Sequence, residues 1–198
     1  MNYIISINQY LNELIKIIQS LDTKSLDCFL SILNNARHKG NTIYVFGNGG
    51  SGATASHMTG DFNKGVSYGH KIRFKMICLN DNIPTMLAYG NDVNFSDIFV
   101  EQLRNFVKKD DVVIGISGSG NSENVIKGID LANKVGAITV GLCGYSGGLL
   151  KDKVTLAIYI NVNDMQKVED LHMIIVHLAM QILSKDKSFS CGGYEFEL

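Results

Sequence analysis

The sequence predicts an α/β fold, a three-layer α/β/α sandwich around a five-stranded parallel sheet with an N-terminal helical extension. Five apolar runs of strand length alternate with helical patterns from residue 41 onward, and this alternation is typical of parallel βαβ units. The runs are continuously apolar, which indicates strands buried on both faces. We expect residues 1–198 to form one domain, with helices over 1–40, an α/β core over 41–186 and a loose tail over 187–198.

The N-terminal extension carries two helical patterns. Apolar residues recur at spacings of three and four between Leu11 and Leu21, and again between Leu26 and Leu33, as on the buried face of a helix. Asp22 lies at the break between the patterns, and Gly40 follows the second one, where glycine commonly ends a helix. The segment 3–39 is therefore predicted to be a pair of helices.

The core elements follow in chain order. The predicted strands are 43–46, 74–79, 112–116, 138–142 and 157–162. The predicted helices are 51–63, 83–90, 97–107, 121–135, 147–151 and 167–185. The single proline, Pro84, lies near the beginning of the second of these helices, where proline is tolerated.

Composition narrows the class of partner. The formal net charge is −1, from 18 basic and 19 acidic residues, and there is no basic stripe, so nucleic acid is not an expected partner. No apolar stretch reaches the roughly 20 residues that span a bilayer, so no membrane association is expected. The four cysteines are scattered, and Cys78 and Cys143 end apolar runs as expected of buried thiols. This pattern favours a reducing cytoplasm and a small-molecule partner.

Two of the predicted strands open into similar loops. The first loop, GNGGSG at 47–52, follows the strand at 43–46, and the second loop, SGSGNS at 117–122, follows the strand at 112–116. Each precedes a predicted helix. Backbone N–H groups at a helix N-terminus attract anions, and serine hydroxyls add donors. The pair therefore predicts a phosphorylated ligand with polar groups at both ends.

Two other interpretations of these loops stay open from the residues alone. The first loop matches G-x-G-x-x-G, the dinucleotide-binding pattern. However, Asp81 lies farther on than the usual ~20 residues, and a dinucleotide fold needs only one phosphate loop. Neither loop contains the Gly-Lys-Ser/Thr of a P-loop. Both loops are also compatible with ordinary tight turns in which glycine supplies unusual backbone angles and serine caps a helix.

Two predicted helices carry the candidates for acid–base chemistry. His57 and Asp61 are four residues apart and share one helix face. Glu169 and His177 lie on one side of the last helix, two turns (~12 Å) apart, and His172 shares the direction of Glu169. A histidine in an apolar helix is often a core residue, and Asp61 is also compatible with a solvated carboxylate, so each needs a geometric test.

The two loops together resemble the sugar isomerase (SIS) domain family. The words GNGGS at 47–51 and GISGSGNS at 115–122, supported by GND at 90–92, are most similar to its sedoheptulose 7-phosphate (phosphoheptose) isomerases. The resemblance implies a flavodoxin-like or Rossmann-like sheet and an enediol or enediolate route from sedoheptulose 7-phosphate to glycero-manno-heptose 7-phosphate in heptose biosynthesis. It also implies one Zn²⁺ per subunit and a homotetramer with sites at subunit interfaces.

The resemblance also implies roles for particular residues. The zinc ligands would be His57, Asp61, Glu169 and His177, and proton transfer would fall to His177 with Asp61 or Glu169. Asp61 stands where the family has glutamate, Glu169 where it has glutamine, and Gly118 where it usually has threonine. The implied substrate contacts are Asn48, Gly49, Gly50, Ser51, Asp61, Asp81, Asn82, Ser117, Gly118, Ser119, Ser122 and Glu169.

The departures at Asp61 and Glu169 leave two alternatives open. One is a SIS isomerase acting on a different sugar phosphate. The other is a non-catalytic SIS protein that binds a sugar phosphate or a protein partner. The presence of His57 and His177 favours an enzyme, because a scaffold needs neither.

Overall fold

The computed structural model describes residues 2–185, and the tail expected over 187–198 lies outside this range. The fold-class prediction is confirmed: five parallel strands form one sheet with helices against both faces. In chain order the elements are α1 (Ile4–Gln19), α2 (Thr23–Lys39), β1 (Thr42–Gly47), α3 (Gly50–Gly60), a π-helix (Asp61–Val66), β2 (Lys75–Cys78), α4 (Ile83–Asp92), a 3₁₀ turn (Phe95–Asp97), α5 (Val100–Phe106), β3 (Val112–Ser117), α6 (Glu123–Val135), β4 (Ile138–Cys143), α7 (Gly148–Lys153), β5 (Leu156–Tyr159) and α8 (Met165–Ser184).

The order of the strands brings the two loops together. The sheet runs β2-β1-β3-β4-β5, and every neighbouring pair is parallel. The chain moves outward from β1 to β2 and then returns to the other side of β1, so the order reverses between β1 and β3. Ligands bind at this reversal in open α/β sheets, beyond the carboxyl ends of the strands. Gly47 pairs with Ile116 at this end, so both loops leave the sheet side by side.

Strand β1 contributes to the core layers on both faces of the sheet. Ile43 and Val45 pack in the layer formed with α2, α3 and α8. Tyr44 and Phe46 point the other way, into the layer formed with α5, α6 and α7. All four side chains are at most 3% exposed, as the continuously apolar pattern predicts.

The prediction of two buried thiols is also confirmed. Cys78 and Cys143 are buried and form no disulfide. Burial raises the pKa of Cys78 to about 12 and that of Cys143 to about 11, so both remain protonated at neutral pH.

The N-terminal helices differ in how they meet the core. Asp22 caps α2 by accepting from the backbone N–H of Lys24 at 3.0 Å, and α2 buries Phe29 and Leu33 completely. Helix α1 buries none of its residues, and its apolar side chains lie exposed along one side, Ile5 by 76%. No helix among residues 2–185 is both long enough and apolar enough to cross a membrane.

Polar contacts attach α1 to the beginning of α8. The Tyr10 hydroxyl donates to the Asp170 carboxylate, and the Lys167 ammonium lies 3.0 Å from the Glu13 carboxylate. The Lys167 ammonium also lies 4.7 Å from the centre of the Tyr10 ring, a cation–π distance.

Two predicted helices differ in detail from the structure. The helix predicted over 51–63 is α-helical only to Gly60 and continues as a π-helix from Asp61 to Val66. Ser67 closes this π-helix, because its hydroxyl donates to the Phe62 carbonyl at 2.7 Å and accepts from the Phe74 N–H at 2.9 Å. The helix predicted over 97–107 is divided into a 3₁₀ turn and α5. π-Helical turns often occur at functional sites.

Candidate active site

A cavity of about 150 Å³ lies where the two loops meet the beginning of α8. Its walls come from both loops, the end of β3 and one face of α8. The lining residues are Asn48, Ser51, Ile116, Ser117, Gly118, Ser119, Ser122, Met165 and Glu169. The structure thus brings the polar residues of both predicted loops to one cavity.

The second loop gives this cavity a wall of hydroxyl groups. Ser117 and Ser122 lie with their Oγ atoms 3.0 Å apart, and the loop turns between them through a hydrogen bond from the Gly120 N–H to the Ser117 carbonyl at 2.9 Å. Ser122 is the N-cap residue of α6, but its side chain makes no capping bond. Hydroxyls bonded mainly to each other can rotate toward an anion, and the positive end of α6 lies behind them.

The first loop supplies the N-terminus of α3. Gly49 has φ +53° and ψ −123°, a conformation that side chains disfavour. The first helical hydrogen bond runs from the Gly52 N–H to the Asn48 carbonyl at 3.3 Å. The N–H groups of Gly50 and Ser51 precede this bond and therefore have no helical acceptor. They form a second set of donors at the cavity.

The Glu169 carboxylate lies directly against this helix end. A Cβ atom at Gly50 would lie 2.4 Å and 2.6 Å from the two carboxylate oxygens of Glu169. The carboxylate therefore occupies space that any side chain at position 50 would fill. A negative charge there is favourable, because the N-terminus of a helix carries a partial positive charge.

His57, Asp61 and His177 form a compact group farther along the same helices. The Nε2 atoms of His57 and His177 are 2.9 Å apart. Asp61 Oδ2 lies 3.3 Å from the Nε2 of His57 and 3.8 Å from that of His177. The imidazole side chains are 48% and 51% exposed, so the group faces outward. Among the described residues, these three are the His, Cys, Asp or Glu side chains that lie close enough together to bind one metal ion.

Helices α3 and α8 connect this group to the cavity. Gly50 of α3 meets Glu169 of α8, and His57 meets His177. The two contacts are seven residues apart on α3 and eight residues apart on α8. The two helices therefore run in the same direction and advance together, turn for turn. The histidines therefore lie two helical turns (~11 Å) beyond the Glu169 carboxylate. Glu169 is not one of the three grouped side chains, and its role as a fourth ligand stays a prediction.

Comparison with known proteins identifies the family. A family model for the SIS domain matches residues 7–144. The chain belongs to the SIS domain family. A phosphoheptose isomerase from Geobacter metallireducens is 34% identical over 170 residues, covering 82% of this chain and 86% of that protein. One from Crocosphaera subtropica is 32% identical over 154 residues, 78% of each chain.

A solved structure agrees with this assignment. The structure of a phosphoheptose isomerase from Francisella tularensis superposes with a TM-score of 0.84 at 25% identity, covering 94% of this chain and all of that one. With relatives above 30% identity over most of its length, this SIS chain belongs with the phosphoheptose isomerases.

The structure bears on Gly118, the position at which the family resemblance implies threonine. A Cβ atom at Gly118 would lie 2.5 Å from the sulfur of Met165. Met165 lines the cavity beside Gly118 and occupies the space of the missing side chain. Glycine at 118 and methionine at 165 are therefore compatible, whereas threonine would displace the methionine.

Asn124, which the sequence did not predict, supports this SIS site through Asn48. The amide of Asn48 donates to Asn124 Oδ1 at 2.8 Å, and the amide of Asn124 donates back to Asn48 Oδ1 at 2.9 Å. Asn124 is 2% exposed. This reciprocal pair ties the first loop to α6, directly behind the second loop. The sequence carried no signal for it, because the partners are 76 residues apart.

The polar segment after β2 makes different contacts from those predicted. Asn80, not Asp81 or Asn82, hydrogen-bonds to the first loop: it accepts from the Gly47 N–H at 3.2 Å and donates to the Gly47 carbonyl at 2.8 Å. Asn82 caps α4 by accepting from the Thr85 N–H at 3.3 Å. Neither Asp81 nor Asn82 lines the cavity, so their contact with substrate stays a prediction.

His172 is a core residue and lies apart from the site. It is fully buried. Burial lowers its pKa to about 4, and the backbone of Cys143 opposes this only in part. His172 is therefore neutral at physiological pH.

Proposed function

We propose that this chain is an aldose–ketose isomerase that converts sedoheptulose 7-phosphate to glycero-manno-heptose 7-phosphate in heptose biosynthesis. The observation that carries the proposal is the cavity in which two anion-binding loops meet the Glu169 carboxylate, two helical turns from the His57, Asp61 and His177 group. The phosphoheptose isomerase relatives support the same reaction.

The phosphate of the substrate would bind at the hydroxyl wall. Ser117, Ser119 and Ser122 supply donors beside the N-terminus of α6, and the N–H groups at the N-terminus of α3 would face the sugar. Anchoring the phosphate fixes the opposite end of the sugar chain relative to the catalytic groups, so remote binding energy contributes to positioning. A seven-carbon chain extends away from its phosphate toward the histidines.

The three-residue group fits a tetrahedral metal ion. Ligands about 2.05 Å from zinc at tetrahedral angles lie about 3.3 Å from one another. The observed separations of 2.9 Å, 3.3 Å and 3.8 Å surround this value. His57, Asp61 and His177 would therefore hold Zn²⁺. A bound zinc ion supplies Lewis-acid stabilisation of charge on the C1 and C2 oxygens.

Isomerisation also needs groups that move protons between C1 and C2. We infer that Glu169 is the carboxylate that does so, because it lines the cavity, whereas Asp61 lies against two imidazoles. From its place against the α3 N-terminus, the Glu169 carboxylate would act on a sugar bound in the cavity. His177, exposed at the end of the same helix face, is the proposed partner that protonates or deprotonates an oxygen.

The exposed features support assembly into a homotetramer with sites at subunit interfaces. The cavity of about 150 Å³ in one chain is smaller than the roughly 300–1,000 Å³ of typical ligand sites. The histidines are half exposed, and α1 presents an uncovered apolar side. A neighbouring subunit would cover all three. Light scattering on the purified protein should give four chains, and a monomer with full activity would contradict this assembly.

The cytoplasmic location remains a prediction, supported by the free thiols at Cys28, Cys78 and Cys143. It does not affect the assignment of the reaction.

Two conservative variants separate the proposed roles. Formation of the aldose from sedoheptulose 7-phosphate is followed by a coupled assay, and zinc content by elemental analysis. The family resemblance implies glutamine at position 169, but in this chain Glu169 and not Asp61 lines the cavity. Glu169→Gln should therefore lower kcat by about 10²- to 10⁴-fold and retain zinc, whereas Asp61→Asn should lose zinc. If Glu169→Gln retains wild-type kcat, the assignment of Glu169 is wrong.

Assays on shorter ketose phosphates test the substrate. The wild-type enzyme should prefer the seven-carbon ketose by kcat/KM, because its phosphate and its reacting carbons must reach opposite ends of the site. A higher kcat/KM for a five-carbon or six-carbon ketose phosphate would contradict the heptose assignment. Loss of all isomerase activity toward these sugars in the folded wild-type chain would contradict the enzyme assignment itself.

A further inference from the structure

A second cavity, of about 530 Å³, lies at the opposite edge of the sheet. Thr42 and Lys75 pair in register at the beginning of β1 and β2, and Asp111 immediately precedes β3; all three line this cavity. The lining residues are Lys39, Gly40, Asn41, Thr42, Tyr44, Lys75, Asn105, Phe106, Lys108, Lys109 and Asp111. The six residues of β1 separate it from the substrate loops by about 20 Å.

The lining of this cavity is strongly cationic. Four lysines lie around it, against a single lining carboxylate. That carboxylate, on Asp111, is 6% exposed and already accepts from the backbone N–H groups of Thr42 and Lys108, both at 2.9 Å. The chain as a whole has a net charge of −1. The excess of positive charge is therefore local to this cavity.

Most of these ammonium groups have no anionic partner among residues 2–185. Lys75 donates to the Gly40 carbonyl at 3.1 Å, and no ion pair involves Lys39, Lys108 or Lys109. Lys39 lies in the last turn of α2, where a cation stabilises the helix end. The other lysines lie on β2 and on the segment before β3, so helix capping does not account for the cluster.

The same cavity offers an aromatic surface. The Phe106 side chain is 58% exposed at the end of α5, and Tyr44 forms a buried part of the wall. The Asn105 side chain adds an amide at the rim. Lysine ammonium groups bind phosphate groups as point charges. Exposed aromatic rings stack on nucleic-acid bases, and the cavity volume lies within the range of small-molecule sites.

We propose that this cavity binds a nucleoside phosphate, with the lysine ammonium groups on the phosphates and the base stacked on Phe106. The site is separate from the sugar-phosphate site and is formed at the amino ends of the strands whose carboxyl ends bind substrate. Its ligand is chemically distinct from the substrate, because it requires an aromatic base as well as phosphate.

Calorimetric titration of the full chain with ADP, pyrophosphate and adenosine tests the proposal in the presence of saturating sedoheptulose 7-phosphate. ADP should bind once per chain and more tightly than either fragment, and its affinity should fall as salt is raised. Phe106→Ala should weaken ADP binding but leave pyrophosphate binding unchanged. No binding of ADP, or equal affinity for ADP and pyrophosphate, would overturn the proposal.

A matched pair on α2 controls for general charge effects. Lys39→Gln removes a lining ammonium, whereas Lys24→Gln makes the same change about 22 Å away at the other end of the helix. Lys39→Gln should weaken ADP binding by about threefold, and Lys24→Gln should leave it unchanged. An equal loss with Lys24→Gln would show non-specific attraction and refute the site. Ser119→Ala should not affect ADP binding, and a loss there would place the nucleotide in the substrate cavity instead.

Discussion

Replacing Gly50 with alanine should inactivate the enzyme without unfolding it. The added methyl group would lie 2.4 Å from the nearest Glu169 carboxylate oxygen, whereas ordinary van der Waals contact begins at 3.4 Å. The carboxylate must therefore move by about 1 Å. A misplacement of this size costs about 10²-fold in rate, or about 3 kcal/mol in activation free energy.

The fold should tolerate the same change. The atoms that the methyl group meets belong to the end of a flexible side chain, so Glu169 can move away without shifting a helix. Alanine also favours the helical conformation over glycine by up to about 1 kcal/mol. Thermal unfolding should therefore give a Tm equal to or above that of the wild type, while the coupled assay on sedoheptulose 7-phosphate shows the loss of kcat/KM.

Gly60→Ala is the matched control on the same helix. A Cβ atom at Gly60 meets nothing within 4 Å, so this variant should keep wild-type activity. If Gly50→Ala retains kcat/KM within about twofold of the wild type, the position of the Glu169 carboxylate does not matter for catalysis. If Gly60→Ala loses as much activity as Gly50→Ala, the effect comes from the helix backbone and not from the displaced Glu169 carboxylate.

Three further perturbations test other contacts. Asn124→Ala should raise KM about tenfold, because its hydrogen bonds to Asn48 are lost. In an Asn48→Ala background the same change should not raise KM further. Additive increases in KM in steady-state kinetics would disprove the coupling. Zinc should raise the Tm of the wild type but not of His57→Ala, and an equal rise in both would exclude His57 as a ligand. Between pH 6.5 and about 4, His172 is protonated in the unfolded chain but neutral in the native protein, because burial lowers its pKa. The free energy of unfolding should therefore fall by about 3 kcal/mol as pH decreases through this window, and urea titrations of His172→Leu should show a flatter pH dependence; an unchanged slope would refute this origin.

The fold class was predictable because it depends on local periodicity. The continuously apolar runs around Ile43 and Val113 predicted strands covered on both faces, and both are fully buried in the sheet. The helical spacing over 3–39 predicted two helices with a break, and Asp22 indeed caps the second. The same spacing did not show that α1 leaves its apolar side uncovered in one chain, because periodicity does not specify a partner.

The site was predictable only in part. The loops were recognisable from their glycine and serine content, and His57 and Asp61 from their spacing of four residues. Asn80 and Asn124 were missed, because each acts on a residue 33 or 76 positions earlier in the chain. Such contacts depend on the strand order, which places β3 beside β1 and not beside β2. The lysine cavity has the same origin, since three separate segments meet at the amino edge of the sheet.

The sequence by itself determined which chemical groups this protein has and the elements on which they lie. It predicted two anion-binding loops and acid–base residues on two helices. Only the tertiary structure decided how the two carboxylates are arranged: Asp61 lies with the histidines, and Glu169 lies at the cavity against Gly50. The physical reason is the packing register of α3 on α8, which long-range contacts between the helices and the sheet set and which no local pattern specifies.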